Sequence, residues 1–325
     1  MNPLVFEPYL RPMVWGGRRL ETRFAKPLPG IGTFGESWEL SAHPHHLSRV
    51  ADGQWKGTTL TDLMSERISD LFGDHLPINQ RFPLLIKLLD CHQLLSIQVH
   101  PSDALAPRLA NEPLGKTEAW IILAVEPGGR VYAGLKDGVT RAQLERHLAE
   151  GTLEECLHAI EPQPGDCIFL PAGTVHAVGG GVVMAEVQQS SDATFRLYDW
   201  NRPGPDGLPR TLHIEQSLEA INWQAGPVMP AIGVERDAPG RPQRMVECEY
   251  FSMDRYTPER AFEPTHDDEM SIWLVLDGEA ELKSNGFARP FKAGETVLIP
   301  AASEQPRWTP LTDRPTLLGV RLPHG

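Results

Sequence analysis

The sequence is poor in cysteine, in long apolar runs and in basic charge, and each shortage narrows its role. Its four cysteines, Cys91, Cys156, Cys167 and Cys248, show no C-x-x-C spacing. That usage argues for a reducing, cytoplasmic setting. Cys167 lies in an apolar strand pattern and reads as a core residue. No apolar run approaches the ~20 residues of a membrane-spanning helix. The segment from Met1 to Glu7 has neither a basic stretch nor a long apolar one, so no signal peptide is expected. Basic residues number 30 against 43 acidic, a net charge of −13. That balance excludes nucleic acid and anionic membrane as main partners. A phosphorylated substrate would need a local basic pocket in an acidic protein.

The 325 residues suffice for two domains, and 41% hydrophobic content is that of a soluble globular chain. Thirty prolines and 29 glycines point to many turns and an all-β plan. A turn is expected at Trp15-Gly-Gly-Arg18. Strand patterns cover 35–41, 82–90, 94–100, 115–123 and 182–189. A helix is predicted over 59–72, capped by Thr59, with Leu60, Leu63, Met64, Ile68, Leu71 and Phe72 on one face. Two short helices are expected over 140–159, from the capping-box spacings Thr140…Gln143 and Thr152…Glu155. Another is expected over 213–221. Residues 224–244, rich in proline and glycine, read as a linker. β patterns return beyond about residue 245, at 271–276, 279–282 and 294–300.

The central stretch runs from Gly165 to Arg202. It opens with G-x5-P-x-G-x2-H, formed by Gly165, Pro171, Gly173 and His176. The glycines permit backbone that other residues avoid, and Pro171 ends a strand because it lacks a ladder donor. His176 then starts the next strand. The spacing resembles the second metal-binding motif of the cupin β-barrel family. It recurs as Gly294 and Pro300, but with Ala302 and Gln305 replacing the second glycine and the histidine. The expected fold is therefore mainly β: two cupin (jelly-roll) barrels, with a few short helices inserted in the N-terminal part. Residues 1–235 would form a catalytic domain with the metal site. Residues 236–325 would form a degenerate one without it.

Strand alternation supplies the rest of the site. In 94–100, Ser96, Gln98 and His100 share one face, while Leu95, Ile97 and Val99 share the other. Lys116, Glu118 and Trp120 share a face in the next strand. Gln98, His100, Glu118 and His176 can thus converge on one divalent ion of zinc type. A lone buried histidine is more often a hydrogen-bonded core residue. Four inward residues beside the full motif reverse that balance. His100, Glu118 and His176 alone also suit Fe(II), which leaves a dioxygenase open. The basic residues Lys87, Lys116, Arg196 and Arg202, with the Ser96 hydroxyl, favour a sugar phosphate. A non-catalytic sugar-binding cupin is a further alternative.

The chain resembles type I mannose-6-phosphate isomerases in their short bacterial form. The resemblance is carried by Trp15-Gly-Gly, Gly35-Glu-Ser-Trp-Glu-Leu-Ser41, Leu95-Ser-Ile-Gln-Val-His-Pro-Ser-Asp103, Gly115-Lys-Thr-Glu-Ala-Trp120, Pro171-Ala-Gly-Thr-Val-His176 and Gln188 through Arg202. It implies an enzyme with one Zn2+ per chain that interconverts mannose 6-phosphate and fructose 6-phosphate through a cis-enediol. Gln98, His100, Glu118 and His176 would be the zinc ligands. Arg196 would be the catalytic arginine with Asp192 near it, and Lys116 would serve proton transfer or phosphate binding. Ser96, Lys87 and Arg202 would bind substrate, although longer family members carry a lysine at the position of Arg202. Lys116, a zinc-bound water and Glu39 are the candidate general bases. The implied partner is a small sugar phosphate, in a monomer or homodimer.

Overall fold

The computed structural model describes residues 1–77, 81–204, 207–231, 242–264 and 268–323. The middle of the expected linker, 232–241, and residues 205–206 of the loop after Arg202 lie outside the described residues.

Two β-sandwiches follow one another along the chain. In the first, a six-stranded antiparallel sheet has the order Tyr9–Gly17, Phe34–Leu40, Leu84–Cys91, Val182–Gln189, Glu118–Val125, Cys167–Leu170. It faces a five-stranded sheet ordered Phe195–Tyr198, Ile97–Val99, His176–Val178, Val131–Leu135, Leu157–Ile160. Trp120, Ile122, Leu89 and Met184 of the larger sheet pack on Val131, Ala133 and Val178 of the smaller.

The central strands of the larger sheet are buried on both faces, which is why they read as near-continuous apolar runs. Val183, Ala185 and Val187 point outward into a second apolar cluster. Met184, Glu186 and Gln188 therefore point inward, as do Lys87 and Leu89 on the neighbouring strand, where Lys87 pairs with Glu186 in register. This alternation carries the polar residues to the interior.

The second sandwich has a five-stranded sheet, Gln243–Glu247, Ser252–Tyr256, Thr316–Arg321, Ser271–Asp277, Thr296–Ile299, and a three-stranded one, Phe287–Lys292, Glu279–Ser284, Arg307–Pro310. Its interior is filled by Trp273, Phe291, Trp308 and their apolar neighbours. Ala302 and Gln305, the counterparts of the first motif's glycine and histidine, are exposed. The outer face of the six-stranded sheet, the helix Leu60–Phe72 and the larger C-terminal sheet share one apolar cluster, which includes Ile86, Ile121, Leu63, Phe72, Ile272 and Leu318. Leu4 is bound to Leu298 by two backbone hydrogen bonds of 2.8 and 2.9 Å, tying the N-terminal segment to the second sandwich. Among the described residues no helix is long and apolar enough to cross a membrane.

Local expectations hold where the chain's own chemistry decides. Thr59 and Thr140 both make capping boxes, with Asp62 and Gln143, at the starts of Leu60–Phe72 and Arg141–Glu150. The helix expected over 213–221 forms as Ile214–Ala220. Three expectations are corrected. Trp15–Gly17 continues a strand rather than turning, and a Cβ on Gly16 would lie 2.3 Å from the Phe34 backbone carbon. Thr152 caps nothing; its hydroxyl lies 2.8 Å from His147 Nδ1, and only a 3-10 turn, Leu153–Cys156, follows. Leu95 does not join Ile97 and Val99. It precedes the regular strand, escapes the alternation and packs beside Trp15 and Trp120.

Candidate metal centre and active site

His100 closes the segment of Gln98, Glu118 begins its strand, and His176 begins the strand paired with Gln98. The three ligand-type residues bring one donor atom each to within 4.8 Å of one another, and all three are buried. His100 Nδ1 lies 2.7 Å from the Ala193 carbonyl, and His176 Nδ1 lies 2.9 Å from that of Thr174. A carbonyl only accepts, so each Nδ1 carries the proton and each Nε2 keeps a lone pair. Burial lowers both imidazoles below their ordinary value, His176 to about 4, which keeps them neutral.

Those lone pairs face a carboxylate. His100 Nε2 is 3.6 Å from Glu118 Oε2, and His176 Nε2 is 3.4 Å from Glu118 Oε1. Glu118 Oε1 has no hydrogen-bond partner, and Oε2 is met by the Lys116 ammonium at 2.6 Å. Burial pushes the Glu118 carboxyl up to about 7 against the pull of Lys116. Two imidazole lone pairs and a carboxylate gathered in a buried space, met in part by Lys116 Nζ at 3.1 Å from His100 Nε2, are a donor set that fits a cation. Gln98 Nε2 lies 3.2 Å from His176 Nε2. A half-turn of its carboxamide presents the oxygen there instead, and the two orientations exchange only atom labels. The donor set therefore fits a divalent ion held by His100, Glu118 and His176, with Gln98 beside them.

Gln98, Lys116 and Trp120 also form part of the wall of a cavity of about 290 Å3. Five basic residues line it: Arg11, Lys87, Lys116, Arg196 and Arg210. Three acidic ones oppose them: Glu36, Glu186 and Asp192. The cavity is thus locally basic inside a protein of net charge −13. Ser96 lines it as well.

Each basic residue stands in a different setting. Lys87 Nζ is 2.9 Å from Glu186 Oε1 and 2.5 Å from Gln188 Oε1, and it lies over the Trp38 ring. Burial opposes its charge, but Glu186, Glu36 and Asp192 outweigh that and raise its pKa. Glu186 is held at about 2 because Lys87 and Lys116 outweigh the cost of burial. Arg196 donates from Nη1 to the Thr211 carbonyl at 2.8 Å, while its buried Nε finds no partner. Burial and then Arg210 depress its pKa. Asp199 does not pair with it, because that carboxylate is taken by Arg202 at 3.0 Å and Arg210 at 2.5 Å.

The structure thus gathers Ser96, Gln98, Lys116, Lys87, Asp192 and Arg196 around the cavity and places His100, Glu118 and His176 behind the wall of Gln98 and Lys116. Asp192 meets His45 Nδ1 at 3.2 Å and Arg11 at 3.8 Å, not Arg196. Arg202 is not among the lining residues; it pairs with Asp199 and donates to the Leu94 carbonyl, and Arg210 lines the wall instead. Glu39 faces away from the cavity, bonded to Lys26 at 2.7 Å and to the Ser37 hydroxyl at 2.6 Å. It is not among the residues that line the cavity. Glu186, Glu36, Arg11 and Arg210 escaped the sequence reading. The inward parity of Glu186 with Gln188 was the one available signal.

A mainly β chain with two cupin-type sandwiches, and in the first a buried His–Glu–His cluster that could hold a metal ion, has the make-up of a cupin. The models of known families agree. "Phosphomannose isomerase type I, catalytic domain" matches residues 5–116, and "Mannose-6-phosphate isomerase, cupin domain" matches residues 242–306. Mannose-6-phosphate isomerase ManA of Bacillus subtilis is 35% identical over 299 residues, covering 92% of this chain and 93% of the relative. A mannose-6-phosphate isomerase of Streptococcus mutans is 39% identical over 220 residues, 68% of each chain. The crystal structure of the mannose 6-phosphate isomerase from Bacillus subtilis superposes with a TM-score of 0.87 at 31% identity, covering 99% of this chain and 100% of that one. The chain belongs to the type I phosphomannose isomerase family.

Proposed function

We propose that this protein interconverts mannose 6-phosphate and fructose 6-phosphate, with one zinc ion per chain held by Gln98, His100, Glu118 and His176. The observation that carries the reading is the buried His100–Glu118–His176 cluster beside a cavity with excess positive charge. Zinc bound there would supply Lewis acidity toward a sugar oxygen. The rest is the work of the chain's own groups. A base removes the C2 proton of the open-chain aldose, and the C–H pair becomes the C1–C2 double bond of a cis-enediol as O1 is protonated. Return of a proton to C1, with loss of the O2 proton, yields the ketose. Lys116 is the candidate for proton transfer, since it touches both Glu118 and the cavity. Glu186 is too strongly held as an anion to be a good base and serves to keep Lys87 charged. Arg196, with a free donor, would stabilise charge growing on the enediol oxygens. Ser96, Lys87 and Arg210 would meet the phosphate, and Arg202 would act only by sharing Asp199.

On this reading the chemistry resides in residues 1–235, while residues 236–325 contribute packing but no metal, in a cytoplasmic enzyme. The test is a coupled isomerase assay on mannose 6-phosphate with metal analysis of the same sample. About one metal per chain and turnover without oxygen uptake are expected for a single site. Free mannose should be a very poor substrate, since remote phosphate binding supplies orientation. Comparable turnover of mannose and its 6-phosphate would overturn the phosphate assignment, and absence of isomerase activity in the metal-loaded protein would overturn the whole reading.

A further inference from the structure

Asp103 lies just beyond His100, outside the cavity, and both of its carboxylate oxygens accept hydrogen bonds. Its Oδ1 accepts from the Gly115 amide at 2.6 Å and from Gln189 Nε2 at 2.9 Å. Its Oδ2 accepts from the Tyr250 hydroxyl at 2.9 Å. Gly115 immediately precedes Lys116, and a Cβ there would lie 2.5 Å from the Ser102 and Asp103 backbone. Lys116 N donates to the Pro101 carbonyl at 3.0 Å. Gln189 Oε1 accepts from Thr117 N at 2.8 Å, and Thr117 Oγ1 accepts from Ala172 N at 3.2 Å. One carboxylate thus ties together the segments carrying His100, Lys116 and Glu118. The third tie, Tyr250, comes from the other sandwich, in the turn before Ser252–Tyr256.

We propose that Asp103 is a positioning residue for the segment bearing Lys116 and Glu118, and that Tyr250 of the second sandwich holds Asp103 in that task. The second sandwich then sets the geometry of a site to which it lends no ligand. The proposal rests on the isomerase reading for its kinetic consequences, but not for its effect on metal binding. Lys116 stands 3.1 Å from His100 Nε2 and 2.6 Å from Glu118, so a small shift of this segment disturbs two contacts at once. Displacements of about 1 Å at a catalytic group can cost roughly 100-fold in rate.

The test uses the full-length, metal-loaded protein. Asp103→Ala should lower kcat and metal affinity, the latter read by chelator competition, by about 10- to 100-fold each, as partners behind metal ligands typically do. KM should change little. Asp103→Asn should restore both to within about threefold, because an amide oxygen still accepts from Gly115 and Gln189. Tyr250→Phe should cost about fivefold in metal affinity and kcat, and that cost should vanish in the Asp103→Ala background, where the two residues no longer couple. Normal metal affinity in a folded Asp103→Ala protein overturns the proposal, as does an undiminished Tyr250→Phe penalty in that background. If Asp103→Ala fails to fold, Tyr250→Phe decides alone, and unchanged metal affinity and kcat refute it. A wild-type protein that binds metal but lacks isomerase activity would refute the proposed function, while the chelator experiment would still judge this inference.

Discussion

Replacing Arg196 with alanine separates chemistry from structure more cleanly than any other single change. Arginines in such a cavity usually stabilise by pairing, and pairing would make the loss structural. Here the nearby carboxylate, Asp199, is already shared by Arg202 and Arg210. The side chain loses one hydrogen bond on truncation, to the Thr211 carbonyl. A hydrogen bond to a charged group contributes about 1.5–3 kcal/mol. Against that, truncation removes a buried Nε that has no partner, and leaving such a donor unsatisfied costs about 1–3 kcal/mol. It also relieves repulsion from Arg210 and Arg202. The contributions nearly cancel, so the melting temperature should move by only a few degrees, at about 2–4 °C per kcal/mol. Catalysis has no such compensation. Loss of one donor that stabilises transition-state charge costs about 10²–10³ in kcat, or roughly 2.7–4 kcal/mol. The assay is kcat, KM, metal content and thermal unfolding on one preparation of Arg196→Ala. Near-normal kcat would remove Arg196 from the chemistry, and unfolding or metal loss would show that the cancellation is miscounted.

Other expectations follow from neighbouring groups. Substituting both His100 and His176 with alanine should abolish stoichiometric metal; unchanged content by elemental analysis would move the site elsewhere. Lys87→Met leaves Glu186 buried without its main partner and should cost about 3–5 kcal/mol in urea unfolding; a neutral result would contradict the buried-pair description. Glu186 has its folded pKa depressed from 4.5 to about 2, so its stabilisation is full above 4.5 and is lost as pH falls toward 2. Asp192 and Asp199 are depressed in the same sense, by basic neighbours that outweigh burial, and reinforce the loss. Urea midpoints should therefore fall steeply below pH 4.5, and the slope should shrink in Glu186→Gln; an unaltered slope would refute the assignment. Glu39→Gln should weaken the fold by orphaning Lys26 yet retain kcat within about twofold, because nothing transition-state-specific is lost; a collapse of kcat in folded protein would return Glu39 to the mechanism.

The candidate ligands were legible because strand parity and one turn motif bring them together locally. Gly165 and Gly173 have φ of 93° and 88°, backbone that only glycine adopts readily, and the proline between them ends the strand so that His176 can begin the next. Period two then placed Gln98 with His100, and Lys116 with Glu118, before any partner strand was known. The expectation of a second sandwich without a metal site came from the chain in the same way, since Ala302 and Gln305 stand where the first motif has its glycine and histidine.

What the sequence could not decide was which charges meet. Nothing in the sequence gave Lys87 a partner, and register sets it against Glu186, 99 residues away along the chain. The sequence pointed to Arg202 and passed over Arg210, and the fold gives the cavity wall to Arg210. Glu36 and Glu39 lie three apart in one strand, so period two puts them on opposite faces, but only packing decides that Glu36 meets the cavity and Glu39 meets Lys26. Tyr250 and Asp103 share no sequence signal at all, being 147 residues apart. Facing direction is a property of one strand and survives in its sequence. Pairing depends on distance between side chains from different strands, and only the packed sheets determine it.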